Sequence, residues 1–489
     1  MPKHEFKFVD LVNLLEKAKG QTLGEADVNN VFYKTISNPK VTGIAGDVVE
    51  QSILKYPPDN KQDVDLVVDG VDTELKTTGL KRVKRGDFAF DAKEPVSVTA
   101  VSPEKIVDEE FDYSKLWHKL ENILFVYYLY DSDKTVPAAE YASFPIQDYQ
   151  FHKFSDDDKR ILQNDWEIVR DFIRKVNSEE ENPLSRYPEI SKLREKMMFM
   201  DTAPKYPNLP RFRLRRSVVS TIIKEHFGKD FELLQGSNKF CSYEELYKIL
   251  RDFAKNQKGK NITHIAQSLN IVLKRNLSGV VNKSVAERVL TAAFGAESGK
   301  LRDIEVFAKI GIIPKTITLS SKGFRTEDTK LDAIDFVEWA DMSIKFEESS
   351  VYNYFANHSM LFSVFQEPHA KSPLEENVFL GFKRLSFDDE FIYKHVKPTW
   401  DRVRELVNNN ELTVGEKLTK YGDSIVNKSG TRMEATNFPK SKDYVVFIRG
   451  SAQDSTKKTY TINGLNMYPQ QFWIKGKVLV EMLSKIEFI

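Results

Sequence analysis

Three carboxylates and one lysine near the start of the chain have the types and spacing of a hydrolytic site. Glu74 and Lys76 are two residues apart in a run that favours a β-strand, so their side chains point to the same face. The Asp69–Gly70 pair before them is a strong signal for a tight hairpin, which brings Asp65 back beside Glu74. Glu50 lies upstream, on a run with helical spacing. The sequence therefore predicts two carboxylates and an ammonium at one end of a small sheet, with a third carboxylate supplied by a helix.

This grouping suits metal-assisted chemistry on a phosphate. Mg²⁺ prefers oxygen ligands and is commonly held by one or two carboxylates together with substrate phosphates. A bound ion stabilises negative charge and acidifies a water molecule, and a nearby lysine can orient that water. The alternative is an ordinary acidic hairpin with a solvated face, since charged residues alternate on many exposed strands. Asp65 and the Glu-x-Lys pair of Glu74 and Lys76, taken alone, favour the acidic hairpin. Glu50 on its helix and the rest of the chain favour the hydrolytic site.

Several other segments predict the helices and strands that must position these residues. Two short apolar runs on either side of Asp69–Gly70 are the expected hairpin strands, Leu66–Val68 and Val71–Leu75. Phe88–Val101 and Ile123–Tyr130 also favour strands. Three other segments favour helices: 44–54, 158–176 and 211–227. The last of them begins with basic residues and continues with amphipathic spacing. Trp166 and Trp400 lie at helical spacing and are expected in the core.

Composition narrows the class of protein. The chain has 489 residues, of which 41% are hydrophobic and 29% charged, and its formal net charge is zero. No overall basic field marks a nucleic-acid partner, so such contacts must come from local patches. The single cysteine, Cys241, fits a reducing cytoplasm. The N-terminal residues are too polar for a signal peptide, and Ile123–Tyr130 is too short to span a membrane. The eight histidines have no zinc spacing.

The second half of the chain repeats the features of the first half in the same order. We expect two copies, 1–230 and 231–489, joined near 230–242. The matching segments of the second copy are Glu245–Lys255, Ser284–Leu290 with Glu287 in the place of Glu50, Asp303–Thr316 in the place of the hairpin, Met360–Phe365, the helix around Trp400, and Gln471–Leu483. In this alignment Ile313 replaces Glu74 and Pro314 replaces Leu75, whereas Lys315 remains. A metal site that loses its strand carboxylate loses its ion, so the second copy is expected to be catalytically silent.

Four segments together resemble MutH, the mismatch-repair nicking endonuclease of the restriction-endonuclease fold. They are TLGEA at 22–26, GIAGDVVEQSIL at 43–54, ELKTT at 74–78 and RFRLRRSVVSTIIKEHF at 211–227. The doubled chain with a degenerate second copy is similar to MutH-related type II restriction endonucleases that cut at GATC. The resemblance implies two tandem α/β (α+β) domains, each a mixed sheet flanked by helices. It also implies Mg²⁺-dependent hydrolysis of double-stranded DNA.

The same resemblance assigns roles to individual residues. Glu50, Asp65, Glu74 and Lys76 match the catalytic set of the family, with Asp65 and Glu74 as the metal ligands. The family usually has six residues between the aspartate and the ExK glutamate, whereas eight separate Asp65 from Glu74 here. A longer hairpin tip absorbs the extra pair, and Asp63 is the rival candidate for the aspartate.

The resemblance also points to surfaces that contact DNA. In the family, the strand-to-helix element near the end of each copy faces the duplex. The residues expected to contact DNA are Arg211, Arg213, Arg215 and Arg216 in the first copy, Arg449, Lys475 and Lys477 in the second, and the loop residues Lys81, Arg82, Lys84 and Arg85. Arg449 matches an arginine that reads a base, and Met200 or Asp201 is expected near that place in the first copy. The loop cations are equally compatible with phosphate contact and with a solvated loop.

Three functions follow as expectations. The first is a type II restriction endonuclease in which the first copy cuts and the second binds another site and assists, as a dimer on DNA or by looping between two sites. Removing the residues after about 230, the junction expected from domain size, then weakens site binding or cooperativity. The second is a strand-nicking enzyme of the MutH type, although a nickase that works as a single domain needs no duplication. The third is a DNA-binding regulatory protein with a relict nuclease site.

Overall fold

The computed structural model describes residues 4–39, 41–56, 64–83, 89–132, 136–204, 207–325, 327–419, 421–426, 430–450 and 458–489. The chain divides into two compact units. Unit 1 contains the described residues of 1–132, 136–250 and 291–312, and unit 2 contains those of 251–290 and 313–489. Residues 231–250 and 291–312 thus belong to unit 1. The two units are defined by contacts between residues, whereas the two copies that meet near residue 230 are defined by repeated sequence features. The division into copies therefore stays a prediction.

Helices and strands alternate along the chain, which confirms the α/β class. The α-helices are α1 Phe8–Ala18, α2 Leu23–Ala26, α3 Lys34–Ser37, α4 Ile44–Val48, α5 Pro103–Ile106, α6 Lys115–Leu120, α7 Asp156–Glu179, α8 Arg216–His226, α9 Tyr243–Gln257, α10 Ile262–Ser268, α11 Val285–Ala292, α12 Glu305–Ile310, α13 Phe336–Ala340, α14 Ser350–Asn357, α15 Asp389–Phe391, α16 Lys397–Asn408 and α17 Gly476–Ser484. The strands are β1 Glu5–Phe6, β2 Leu66–Val68, β3 Val71–Arg82, β4 Phe90–Ala92, β5 Val96–Ala100, β6 Ile123–Leu129, β7 Ile146–His152, β8 Met200–Ala203, β9 Arg211–Leu214, β10 Ile312–Leu319, β11 Thr329–Ala333, β12 Ser359–Gln366, β13 Val378–Leu385, β14 Val414–Glu416, β15 Glu434–Thr436, β16 Val446–Gly450, β17 Tyr460–Ile462, β18 Leu465–Met467 and β19 Gln470–Ile474. No helix among these residues is both long and apolar enough to cross a bilayer.

The main sheet of unit 1 is mixed. Its strand order is β1-β2-β3-β6-β7, and β4 also pairs with β3. β3 runs parallel to β6 and antiparallel to β2, and β6 runs antiparallel to β7. A second sheet of three antiparallel strands has the order β5-β9-β8. The expected strand Phe88–Val101 is therefore two strands, β4 and β5, one in each sheet.

The hairpin that carries the candidate site forms as expected. β2 and β3 pair so that Val68 faces Val71, which leaves Asp69 and Gly70 as the two loop residues. Both have left-handed backbone angles, with φ of 46° at Asp69 and 83° at Gly70. These angles are those of a type I′ turn, which matches the twist of the flanking strands. A two-residue turn sets the pairing register, and the register decides which side chains lie beside Glu74.

Apolar side chains of α1, α4 and the main sheet form one core of unit 1. Leu11 and Leu15 of α1, Val48 of α4, Leu75 of β3 and Leu124 of β6 all belong to it and are at most 5% exposed. Burying each such side chain contributes about 1.5–3 kcal/mol. This packing fixes α4 against β3, the strand that carries Glu74 and Lys76.

Unit 2 repeats the sheet orders of unit 1. Its sheets β10-β12-β13 and β11-β19-β16 correspond in order to β3-β6-β7 and β5-β9-β8. Both central strands β9 and β19 lead directly into a helix, and the pairing of each shows one register shift, at Ser97/Thr99 and at Lys330/Asp332. Trp166 and Trp400 are both buried, at 1% and 4% exposure, as expected. These correspondences support the interpretation of the chain as a duplication.

One element of the repeat was predicted wrongly. The segment Asp303–Thr316 is not a hairpin, because α12 occupies Glu305–Ile310 and only β10 follows. Phe307 and Ile310 are three residues apart and are both buried. Gly311 ends the helix in the left-handed conformation, with φ of 67°. The β-favouring residues of this stretch are therefore the buried face of a short helix.

A buried ion cluster joins α12 to the rest of unit 1. Lys309 is 1% exposed, and its Nζ lies 2.8 Å from Asp158 Oδ2 and also pairs with Glu305. Glu225 of α8 hydrogen-bonds Glu305, and burial raises the pKa of Glu225 to about 7. Three carboxylates thus lie around one ammonium, and Glu225 changes its protonation state near neutral pH.

We expect Glu225→Gln to remove a pH-dependent part of the stability. Because the pKa of Glu225 is raised in the folded state, its favourable contribution is present at low pH and is lost as pH rises from about 4.5 to about 7. Urea unfolding at pH 5 and pH 8 should show that the glutamine variant loses less stability than the parent over this range. Glu179→Gln, at the exposed end of α7, is the matched control. Equal losses in the parent and the Glu225 variant would contradict the expected titration.

Candidate active site

Asp65 and Glu74 lie together at the end of the β2–β3 hairpin, as the sequence predicts. Asp65 precedes β2 and accepts a hydrogen bond from the backbone N–H of Leu75, with 2.9 Å between N and Oδ2. Glu74 is next in the chain to Leu75 and is 1% exposed. The backbone N–H of Glu74 donates to the carbonyl of Asn122, beside β6. The hairpin and the parallel pairing with β6 therefore hold both carboxylates.

Two lysines neutralise the carboxylate of Glu74. Lys76 Nζ lies 2.6 Å from Oε1, as expected for residues on the same face of the strand. Lys119 Nζ lies 3.0 Å from Oε1 and 2.8 Å from Oε2. A fully buried carboxylate requires such pairing, because an uncompensated charge in the interior is strongly unfavourable.

Lys119 was missed by the sequence reasoning, although α6 carries a signal for it. α6 begins at a cap, where Ser114 Oγ accepts from the N–H of Trp117 at 3.1 Å. Leu116 and Leu120 mark its buried face, and Lys119 is three residues from Leu116 on that same face. A lysine within an apolar stripe is rare unless it is paired. Its position therefore implies a buried acidic partner, which only the fold identifies as Glu74.

The electrostatics of the carboxylate pair suit a divalent cation. Burial, and next the negative charge of Glu74, raise the pKa of Asp65, whereas Lys76 and Lys119 lower it. Two neighbouring carboxylates, Glu74 buried and Asp65 partly buried, are a donor set that Mg²⁺ takes. Within the described ranges, no three or more His, Cys, Asp or Glu side chains form a metal-binding group. Asp65 and Glu74 could therefore hold Mg²⁺ only with phosphate and water oxygens as further ligands.

Glu50 lies on a helix that packs against β3. The α-helix α4 passes into a π-helical turn at Val49–Ile53, and Glu50 is in this turn. The close approach to β3 depends on Gly46, where a Cβ would come within 3.2 Å of Thr77 Oγ1. Glu50 is one turn beyond Gly46, so the helix carries it along β3. The expected cluster of three carboxylates does not form in the described residues, since Glu50 completes no metal-binding group with Asp65 and Glu74.

The basic loop after β3 is only partly described. Asp63, Lys84 and Arg85 lie outside the described residues. Lys81 lies over the Tyr130 ring, with 5.8 Å from Nζ to the centroid. Arg82 is exposed, and its Nε lies 3.8 Å from Asp131 Oδ1.

The arginines of the β9–α8 element differ in their availability. Arg211 is exposed, whereas Arg213 makes a two-pronged pair with Asp201, at 2.7 and 3.0 Å. Arg216 donates from Nε to the carbonyl of Ala92 at 2.7 Å. Arg215 is 7% exposed, and its guanidinium donates to the backbone carbonyls of Arg194, Met197 and Met200. These contacts give Arg215 a structural role and leave Arg211 as the most accessible cation of the element.

In unit 2, Arg449 lies on an aromatic surface. Its guanidinium is 4.9 Å from the Trp473 ring centroid, and its Nη2 is 2.7 Å from Asp328 Oδ2. Lys475 is half-buried and Lys477 is exposed. Arg449 pairs with Gln471, and Ala203 pairs with Arg211 in the corresponding place of unit 1. Ala203 therefore holds this place in unit 1, two residues after Asp201.

We expect Lys119→Met to damage both stability and cleavage. The variant leaves Glu74 with one ammonium instead of two, and a buried charge that loses a partner costs about 3–5 kcal/mol. Since Lys76 remains, we expect a loss near 3 kcal/mol and a cleavage rate about 100-fold lower, within the range seen when one stabilising donor is removed. Urea unfolding and single-turnover cleavage of a short duplex measure these effects. Lys115→Met, on the exposed side of α6, is the control, and equal behaviour of the two variants would exclude this role for Lys119.

Comparisons with known proteins agree with this geometry. A family model described as the DNA mismatch repair enzyme MutH matches residues 54–165. That range contains Asp65, Glu74, Lys76 and Lys119. The type II restriction enzyme Sau3AI of Staphylococcus aureus is 24% identical over 469 residues, which cover 84% of this chain and 87% of that protein. The similarity to that enzyme thus extends through both units, and the chain resembles MutH-like restriction endonucleases.

Proposed function

We propose that the protein is a type II restriction endonuclease that cuts both strands of duplex DNA at a short site, GATC, with Mg²⁺. Unit 1 carries out the cleavage, and unit 2 binds a second copy of the site and stimulates it. The observation that carries this proposal is the buried Glu74 carboxylate, which lies beside Asp65 and between two lysines at the end of a hairpin. The choice of GATC rests on the resemblance of the doubled chain to MutH-related enzymes.

The side chains of unit 1 have distinct roles in this proposal. Asp65 and Glu74 would hold Mg²⁺, which when bound supplies neutralisation of phosphate charge and acidification of a water molecule. The N–H of Leu75 orients Asp65, and Lys119 fixes Glu74 through both of its oxygens. Lys76 is the less buried of the two lysines and is placed to orient the attacking water and to offset charge on the phosphate. The catalytic role of Glu50, in the π-helical turn that packs along β3, rests on the family resemblance alone.

The proposal for unit 2 rests on what its strand β10 lacks. Ile313 and Pro314 stand where the first copy has Glu74 and Leu75 in the sequence alignment. Lys315 remains, donates to the carbonyl of Lys330 at 3.0 Å, and has its pKa lowered by burial. A unit with cations but without the strand carboxylate can attract DNA without cutting it.

Exposed cations provide the DNA-contacting surface in this proposal. Arg211 and Lys477 are accessible on the two strand-to-helix elements, and Arg82 is accessible after β3. Arg449 is suited to a guanine, because a guanidinium can bond O6 and N7 together. Its pairing with Asp328 holds the planar group on the face of Trp473. The proposal also includes a cytoplasmic location and either a dimer on DNA or a loop between two sites.

Plasmid cleavage tests the proposed reaction. Supercoiled plasmids with one and two GATC sites are incubated with Mg²⁺ or with EDTA, with and without adenine methylation, and the product ends are sequenced. We expect linear products with Mg²⁺ and faster cutting of the two-site plasmid. Nicked circles as the end product would favour the MutH-type nickase. Tight binding without hydrolysis would favour a regulatory protein with a relict site.

The second-site proposal needs point variants rather than truncation. Removing all residues after about 230 also removes α12 and exposes the buried Asp158 of unit 1. A loss of activity would then report damage to unit 1. Arg449→Gln is expected to keep the fold of both units, to abolish the faster cutting of the two-site plasmid and to leave cleavage of the one-site plasmid unchanged. An unchanged advantage would exclude Arg449 from second-site binding.

A further inference from the structure

A short finger in unit 2 carries the most exposed large apolar side chain among the described residues. The finger comprises residues 274–282, and its strands meet at an antiparallel bridge between Arg275 and Val281. At its tip Leu277 has a relative exposure of 109%, so it projects wholly into solvent. Leu277 contributes nothing to the core, although a leucine in water is unfavourable by about as much as its burial would gain.

Hydrogen bonds hold the finger in one conformation. Asn276 Oδ1 accepts from the N–H groups of Ser278 and Val280 at 2.9 and 3.0 Å. The backbone N–H of Gly279 donates to the carbonyl of Asn276 at 2.9 Å, and Gly279 has a left-handed φ of 75°. Arg275 Nη1 donates to the carbonyl of Gly279 at 2.7 Å. The tip residue is therefore presented by a closed turn, which reduces the entropy lost when the finger contacts a partner.

The base of the finger is anchored to unit 2. Arg275 Nη1 also lies 2.8 Å from Glu375 Oε1. Asn282 N–H donates to the carbonyl of Lys274 at 2.8 Å, which pairs the two ends of the finger. Both ends of the finger are thus held on unit 2, so the tip can press against a partner without the finger being displaced.

The charged residues of the finger segment itself have one sign. Residues 271–283 contain no Asp or Glu, whereas Lys274, Arg275 and Lys283 are basic. The charge of Arg275 is balanced by Glu375, and Lys274 and Lys283 are exposed. The tip is apolar and lies between two accessible ammonium groups. Duplex DNA has the complementary character, because its stacked base pairs are apolar and lie between two anionic phosphate chains.

We propose that this finger enters the minor groove of duplex DNA, with Leu277 wedged at a base step and Lys274 and Lys283 on the flanking phosphates. The proposal rests on the proposed binding of a second DNA site by unit 2. Apolar wedges of this kind act from the minor groove, where they partly unstack a step and bend the duplex. Bending the second site in this way gives unit 2 a means to discriminate among sequences by their deformability.

The test uses the full chain with Glu74→Gln, so that DNA is bound without cleavage. A duplex with one GATC site and 2-aminopurine at successive positions reports unstacking as a rise in fluorescence, while a titration counts the duplexes bound per chain. We expect two binding events in this parent, and in Leu277→Ala an approximately 10-fold weakening of one event with loss of the fluorescence rise. Leu184→Ala, at a half-exposed leucine of unit 1, is the matched control.

A second variant tests the lysines separately. For the same binding event, the logarithm of the binding constant is plotted against the logarithm of the salt concentration. Lys274→Gln together with Lys283→Gln should make this slope shallower by about 1.8, since each phosphate contact contributes about 0.9. Both sets of substitutions are at exposed positions, and unchanged circular dichroism confirms the fold.

The outcomes separate the finger from the broader proposal. If Leu277→Ala behaves as Leu184→Ala in affinity and fluorescence, the finger is not a contact and the inference is overturned. A weaker affinity with an unchanged fluorescence rise overturns the wedge, because unstacking then arises elsewhere. A parent that binds a single duplex overturns second-site binding itself, and the role of the finger with it.

Discussion

The Glu74→Gln variant is expected to bind duplex DNA as the parent does and to cut it about 1,000-fold more slowly or worse. Glutamine keeps the volume of the side chain but removes its charge, so a divalent cation loses a ligand and both lysines lose their anionic partner. Removing one electrostatic contact in an active site commonly costs about 100- to 1,000-fold in rate. Losing a metal ligand adds to that cost. Single-turnover cleavage at saturating Mg²⁺ measures the rate, and a binding titration in Ca²⁺ measures the affinity.

Asp72→Asn is the matched control for this variant. Asp72 lies two residues before Glu74 on β3 and contacts His118, with 3.4 Å from Oδ2 to Nε2. It is half-buried and its pair with His118 is partly exposed, so its substitution should leave cleavage within about twofold of the parent, as is usual for such a pair. A Glu74 variant that still cut at the parent rate would remove Glu74 from the chemistry. It would also remove the central support for the proposed nuclease site.

The Lys309→Met variant is expected to lose about 3–5 kcal/mol of unfolding free energy, which is a large part of the stability of a typical domain. Methionine fills the same space but leaves Asp158 and Glu305 without their shared ammonium. Asp158 is 6% exposed and cannot regain water without local unfolding. Urea unfolding followed by fluorescence gives the change in free energy, because Trp166 lies on the same helix as Asp158.

Two further variants make this prediction specific. Lys300→Met changes an exposed lysine of the same segment and should alter stability by less than about 0.5 kcal/mol. Adding Asp158→Asn to Lys309→Met should recover part of the loss, since one uncompensated charge is then absent. If the double variant were no more stable than Lys309→Met alone, the loss would come from packing around the methionine and not from the charges.

Local patterns along the chain were sufficient for much of the fold. The Asp69–Gly70 turn, the period-two placement of Glu74 and Lys76, and the apolar run of β6 are decided by neighbours within a few residues. Asp65 was placed beside Glu74 for the same reason, because a two-residue turn leaves one register. The order of the motifs was enough to indicate the MutH-like family and the duplication.

Contacts between segments that are distant in the chain decided the features that the sequence did not predict. Lys119 is 45 residues from Glu74 in the chain, and Lys309 is 151 residues from Asp158. The pattern of a single segment cannot name such partners. The family resemblance included Arg215 among the DNA contacts, but tertiary packing buries it against three backbone carbonyls. The segment before Gly311 was matched to the hairpin by its place in the repeat, yet Phe307 and Ile310 are buried within unit 1 on one face of a helix, since packing outweighs a weak local preference.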